Sequence, residues 1–344
     1  MTRPATVTDR RAWSSARFSG VLSLALRLSC LCVTFACGAD TVRTQTIQLR
    51  QGWNGVFLEV SPPEFSPPDL FGALPVDVVA AFYPATTSVQ FVSDPAEQPW
   101  QKGGWGVWYA PERPEAMFSS LTTILGNRPY LINARKDVTF SVTGSAQLNH
   151  VPWKSNSFNY VGFGLDPADP PTFAEFFAGA KAHAGGRCYR LVSNKWRKVT
   201  SPSTTLMRSG EAYWIYCTGR SAYQGPVAVS FAGLSSIDFG ASLDTIAISL
   251  SNVGLAPETV RLDAIPPDAL PLVWVEPDWE TFQNTYPALQ ASTDLPTIEP
   301  GVTDTYRIHL RREKMPDGEQ GMLLKLTTDS GQVHWIPVTA KKGQ

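Results

Sequence analysis

The sequence of 344 residues predicts a mainly β protein: two related β-rich units, each with a short helix, followed by a C-terminal β-sandwich. Three observations predict it. Composition is the first, since 28 prolines, 26 glycines, 11% aromatic and only 17% charged residues favour many short strands joined by tight turns. The second is an internal repeat, and the third is strict apolar–polar alternation in the last third of the chain.

In chain order, the first element is a leader. A basic stretch (Arg3, Arg10, Arg11, Arg17) precedes an apolar run from about Phe18 to Ala36, the layout of a signal peptide over residues 1–38. A membrane anchor needs about 20 uninterrupted apolar residues. This run instead carries Arg27 and several serines, and it ends in Ala36-Cys37-Gly38-Ala39. Cleavage after Gly38 or Ala39 is expected, with the mature chain secreted or in the cell envelope. Arg10-Arg11 followed by Ala12-Trp13 is a poor twin-arginine signal. Thr34-Phe35-Ala36-Cys37 lacks the leucine expected three residues before a lipidated cysteine, so anchoring at Cys37 stays an alternative. No later stretch is apolar enough to span a bilayer, so no transmembrane span is expected in the mature chain. Removing the leader takes away five arginines and one aspartate, which moves the formal net charge from −1 to −5. Phosphate-backbone affinity comes from lysine and arginine, so no nucleic acid is expected as a partner.

Roughly 300 mature residues exceed one ordinary core and call for two or three domains. Gly52-Trp53-Asn54-Gly55-Val56-Phe57, followed by Ser66-Pro67-Pro68-Asp69-Leu70-Phe71, has a counterpart in Phe158-Asn159-Tyr160-Val161-Gly162-Phe163, followed by Asp169-Pro170-Pro171-Thr172-Phe173. Each copy starts with an aromatic-Asn strand and continues into a short helix. Ser66 and Asp169 are placed as N-caps, with Pro67 and Pro170 at the first helical position, where a missing N–H costs nothing. In the second copy Thr172 and Glu175 match a capping box. Phe173, Phe176, Phe177 and Ala180 share one helical face, and Gly185-Gly186 ends the element. The copies also end alike, in Leu125-Gly126-Asn127-Arg128-Pro129-Tyr130-Leu131-Ile132 and Met207-Arg208-Ser209-Gly210-Glu211-Ala212-Tyr213-Trp214-Ile215. Each then leads into another strand. The units are assigned to residues 41–145 and 146–232. The first carries an insertion, Trp100 to Trp108, in which Trp100, Trp105 and Trp108 are set among glycines.

Cysteine use agrees with export. Three of five cysteines lie in the leader, leaving Cys188 and Cys217 in runs that read as strands. A cross-strand disulfide is the expectation in an oxidising compartment, with two buried thiols as the alternative.

In residues 233–344, Thr245 to Ser251, Thr259 to Asp263 and Tyr306 to Arg311 alternate as half-buried antiparallel strands do. Asp329-Ser330-Gly331 separates Met322 to Leu326 from Val333 to Ile336 as a hairpin turn would. Strands at this spacing imply a sandwich.

Two resemblances follow from these residues. Leu49-Arg50-Gln51-Gly52-Trp53-Asn54 with Ser209-Gly210-Glu211-Ala212-Tyr213-Trp214-Ile215 resembles the G-W-N … Y-W-I β-units of exported bacterial proteins, often found beside adhesion-type modules. The second copy departs from that pattern at Ser157-Phe158-Asn159. Ile237-Asp238-Phe239-Gly240 with Ser251-Asn252-Val253-Gly254 is similar to immunoglobulin-like (Ig-like) domains of the abnormal-spindle type, which implies binding or spacing rather than catalysis.

Candidate chemistry is sparse. His150, His183, His309 and His334 are scattered, without zinc spacing, and His309 between Arg307 and Arg311 reads as part of a solvated face. No nucleophile elbow, phosphate-cradling loop or dinucleotide fingerprint occurs, so no catalytic residue, metal or cofactor is assigned. Glu276, Asp278 and Glu280 alternate, and Asp166 and Asp169 flank a proline turn. A polar loop and a helix cap explain them better than a glycosidase pair or a calcium site. Tryptophan is the better lead, since seven of eleven lie between Trp53 and Trp214. Repeated strand positions make Trp53 and Trp214 core residues. Trp100, Trp105 and Trp108 are assigned as a binding surface, for which a satellite cluster under a long loop is the competing reading. The expectation is therefore a non-enzymatic exported binding or structural protein whose partner is a larger cell-surface or extracellular protein, or a polysaccharide. Carbohydrate binding through the aromatic insertion and an unrecognised hydrolase are the alternatives.

Overall fold

A computed structural model describes residues 41–83, 104–233 and 235–343. The leader and Trp100 lie outside the described residues. The first unit contains β1 (Val42–Leu49), β2 (Gly52–Leu58), α1 (Pro67–Phe71), β3 (Val76–Phe82), β4 (Trp105–Tyr109), β5 (Arg128–Ala134) and β6 (Val138–Ser145). β1 and β6 pair along their whole length, and the other four form an antiparallel sheet in the order β2-β5-β3-β4. The second unit contains β7 (Ser157–Val161), α2 (Phe173–Phe176), β8 (Cys188–Val192), β9 (Lys195–Lys198) and β10 (Tyr213–Cys217). Its order, β7-β10-β8-β9, repeats that of the first.

Local chemistry repeats with the topology. Asn54 Oδ1 accepts from Arg50 N while its amide donates to the carbonyls of Arg50 and Gly52. Asn159 does the same with Lys154 N and the carbonyls of Lys154 and Ser157. The Tyr130 hydroxyl accepts from Leu125 N and donates to Leu125 O, as the Tyr213 hydroxyl does with Arg208. Ser66 caps α1, with Pro67 at its start. In α2 the cap is Thr172, with Glu175 completing the capping box, and not Asp169. Prolines at 170 and 171 leave a cap at Asp169 short of N–H groups to accept from, whereas Thr172 finds Glu175 N. Phe173, Phe176, Phe177 and Ala180 are all buried, as their spacing requires.

The two sheets face each other across an aromatic interior of Phe57, Phe82, Trp105, Tyr160, Trp196 and Trp214. Tyr160 and Trp214 stack at 4.9 Å, and the Tyr160 hydroxyl donates to Tyr130 O of the other unit. Gly162 lies where a Cβ would come within 2.1 Å of the Phe57 ring, so only glycine permits this approach. On its outer side each sheet packs on its helix, around Phe71 and Trp108 in one unit and Phe173 and Phe176 in the other.

The third part contains β12 (Ile237–Asp238), β13 (Thr245–Asn252), β14 (Val260–Ile265), β15 (Leu272–Trp274), β16 (Glu276–Asp278), β17 (Gln283–Thr285), β18 (Ser292–Asp294), β19 (Thr303–Leu310), β20 (Gly318–Thr328) and β21 (Val333–Lys342). Preceding them is β11 (Val227–Phe231), placed by sequence in the second unit but hydrogen-bonded to β13. Sheets β11-β13-β19-β15 and β12-β21-β20-β14-β18 enclose one core, which makes an Ig-like β-sandwich. The reason for β11's placement is pairing. Its counterpart β6 closes on β1, whereas residues 146–156 hold no strand for β11 to join. Its apolar positions Val227, Val229 and Phe231 pack on the sandwich core instead.

Candidate functional site

Beside β1 lies an open groove of about 1530 Å³. That exceeds the ~300–1,000 Å³ of small-molecule pockets and suits an extended ligand. One wall is β1, another is the β8–β9 turn with residues 208–211, and a third is the sandwich face carrying Lys325, Val333 and Trp335.

Its floor grows from the inward positions of β1. Ile47 and Leu49 enter the core, but the same stripe continues as Gln45 and Arg43, where the chain turns polar. Gln45 bridges β1 to β2, donating to Phe57 O at 2.9 Å and accepting from Glu59 N at 2.8 Å. Glu59 is paired with Arg43 and also receives the Ser209 hydroxyl at 3.2 Å. Beside it, Arg190 grips Glu211 with both ends of its guanidinium, the shortest contact being 2.8 Å. Tyr213 adds a hydroxyl contact at 3.2 Å. Burial pushes the Glu211 carboxyl up from the ordinary range, and the nearby charges of Arg190 and Arg208 pull it back. Side-chain exposures of 14% and 15% put this pair among ion pairs that are costly to break, since removing one partner strands the other. The Arg43 guanidinium lies over the Trp335 ring at 4.7 Å, a cation–π contact that ties β1 to the sandwich.

Trp105 and Trp108 do not form a contact surface. Three positions apart on β4, they point to opposite faces of the sheet, Trp105 into the interior between the units and Trp108 against Phe71. Both are buried, at 8% and 5% exposure. Nor does this strand lack a counterpart: β9 occupies its place in the second sheet and sends Trp196 into the same interior. Trp53 is only half-buried, and it and Trp335 are the tryptophans that line the groove.

Cys188 and Cys217 are two separate buried thiols, not a bridge. Cys188 stands opposite Ile215, which makes Cys217 its diagonal neighbour across the β8–β10 ladder. Diagonal Cα atoms lie about 7–8 Å apart, outside disulfide reach. Burial pushes the Cys188 thiol up to about 12, and Cys217 donates its S–H to Gly219 O. The carboxylates at 276–280 sit on the exposed β16–β17 hairpin, where Asp278 accepts from Glu280 N, Thr281 N and the Thr281 hydroxyl. His309 bonds Thr245, while His183 and His334 are buried. Among the described residues no three His, Cys, Asp or Glu side chains converge as metal ligands, and no helix is long and apolar enough to cross a membrane.

Sequence reasoning missed the groove. A signal was present in β1, where Arg43 and Gln45 occupy the alternate positions that Ile47 and Leu49 mark as inward.

No family model matches the chain, and no curated protein matches it. Similar solved structures include the ASH/PapD-like domain 7 of human CEP192, at 9% identity and a TM-score of 0.22 over 35% of this chain and 86% of that one. The CsuC–CsuE chaperone–tip adhesion subunit complex of Acinetobacter baumannii matches at 15% identity and a TM-score of 0.21, over 33% of this chain and 57% of that one. The periplasmic chaperone SfaE matches at 14% and 0.20, over 34% and 58%. At these values the likenesses place the chain in no family, and its own sheets define the fold: mainly β, with a duplicated four-stranded unit ahead of an Ig-like sandwich.

Proposed function

We propose that this chain is a non-enzymatic exported protein of the cell envelope or extracellular space, a binding and structural module whose ligand lies along the β1 groove. The observation that carries the reading is the groove itself: it is larger than the usual small-molecule pocket, open to solvent, and floored by charges held in fixed pairs. Such a floor presents fixed charge pairs along which a polymer can be oriented. The basic-then-apolar leader supports export. A larger cell-surface or extracellular protein fits as the partner. A polysaccharide is the second reading, favoured by Trp53 and Trp335 on the groove wall, where flat rings suit sugar stacking.

Expression of the full chain in a bacterial host tests the proposal. The protein is expected in the envelope or medium with its first residue at Ala39 or Asp40, and inactive on a broad glycoside and ester panel. Recovery from the cytoplasm still beginning at Met1 overturns export. Turnover lost on Glu276→Gln or Asp278→Asn overturns the non-enzymatic reading.

A further inference from the structure

We infer that the free edge of β1 binds an extended, acidic segment of another polypeptide by strand addition, which rests on the groove being the binding surface. The phase of the β1–β6 ladder carries the argument. Ala146 N donates to Thr41 O, and the two strands pair in register from there, so the odd-numbered residues of β1 exchange bonds with β6. On β6, Ser145 turns its groups the other way and exchanges both bonds with Ser61, which fixes the same phase. The N–H and C=O groups of Thr44, Thr46 and Gln48 therefore point away from β6 and into the groove, where no backbone or side-chain partner meets them among the described residues.

Four other edges are blunted. β9 carries Lys195, Arg197 and Lys198. β4 is covered by Ser119, Ser120 and Leu121, while β2 is closed by bonds to Gly210 and Ala212. β18 is three residues long. Charge, cover and shortness are how proteins blunt a strand edge. β1 has none of these along Thr44 to Leu49: it is eight residues long, about 26 Å at strand rise, without proline, glycine or bulge. Its backbone offers a donor and an acceptor at every second residue, which an extended polypeptide matches and a sugar does not.

Charge selects the occupant. Glu59 and Glu211 are neutralised by Arg43 and Arg190. Asp137 accepts from Gln51 N and Asp166 from Ala168 N, bonds that leave both carboxylates charged. Arg50, Arg208 and Lys325 also line the groove, make no ion pair among the described residues and outnumber Asp137 and Asp166, so the balance of charge left for a ligand is positive. Acidic side chains on the incoming strand complete it.

The test titrates the purified full chain with three blocked eight-residue peptides: alternating valine and glutamate, alternating valine and lysine, and the glutamate peptide N-methylated at every second residue. Binding is read by calorimetry, and amide exchange is followed at residues 44, 46 and 48. The glutamate peptide is expected to bind about tenfold or more tighter than the lysine peptide, to protect those three amides, and to be weakened to a similar degree by N-methylation. Thr46→Pro removes one edge donor while sparing the β6 ladder, so it too should weaken binding about tenfold with an unchanged melting temperature. Failure of all three peptides, equal binding of the glutamate and lysine forms, or N-methylation without effect overturns strand addition. So does a self-associated chain whose dimer is lost in Thr46→Pro, which would make a second copy the occupant. Retention of envelope polysaccharide by both wild type and Thr46→Pro overturns strand addition while leaving the groove as the binding surface.

Discussion

His334 on β21 turns into the sandwich and donates from Nε2 to the Val227 carbonyl of β11 at 3.0 Å. Desolvation disfavours the imidazolium there and holds the group down at about 4, against 6.5 when exposed. The direction of the pH effect follows. Below about pH 6.5 the unfolded chain takes up a proton that the folded chain refuses, so stability is complete above 6.5 and is lost as pH falls toward 4. Between about pH 7.5 and about pH 4.5 this one residue should cost on the order of 2–3 kcal/mol. His183, also held down by burial, adds a loss of the same sign. Urea unfolding at the two pH values checks this against His334→Gln, whose amide can donate the same bond without titrating. The variant should lose most of the wild-type difference, and an unchanged difference would remove His334 from the account.

The duplicated strands show which sequence signals survive folding. Asn54 and Asn159 each tie down the turn before their strand through three backbone bonds, but Asn159 is 5% exposed and Asn54 is half-open to water. Asn159→Ala therefore strands the buried Ser157 carbonyl and loses the part-buried bonds to Lys154 N and O, and should cost about 2–3 kcal/mol, whereas Asn54→Ala, where water replaces the amide, should cost about 1. Equal costs in denaturant titrations would count against this difference in solvent access. These asparagines, the tyrosines that close each unit, Ser66 and the Thr172–Glu175 box were all readable in advance, because each acts within five residues of itself. Trp105 and Trp108 were misread for the opposite reason. Glycine neighbours suggested a loop, yet Gly106 is small because Tyr83 packs 3.0 Å from where a Cβ would stand. The pairing of β11 was hidden for a related cause, since it depends on which distant strand is left without a partner, and the groove showed only as the polar positions Arg43 and Gln45 on the inward stripe of β1.

At the scale of the molecule, the described parts are sewn together. Val333 N donates to Gly164 O and Asp166 N to Gly331 O, so a loop of the second unit extends the β20–β21 hairpin. Gln332 accepts from Val227 N and donates to Gln224 O in the same region. The two repeat units in turn share one aromatic interior in which Trp105 touches Phe82, Tyr160 and Trp214 at ring distances of 5.2, 6.3 and 6.5 Å. A chain built this way should not melt in pieces. Trp105→Ala empties part of an interior shared by both units and should cost about 3–5 kcal/mol, far beyond the ~0.5 kcal/mol expected of an exposed contact residue. Because β11 and the 164–166 loop carry that loss into the sandwich, calorimetry should show one endotherm in both proteins, moved as a whole to lower temperature in the variant. Two endotherms, with only the earlier one shifted, would mean that the repeat pair and the sandwich fold independently.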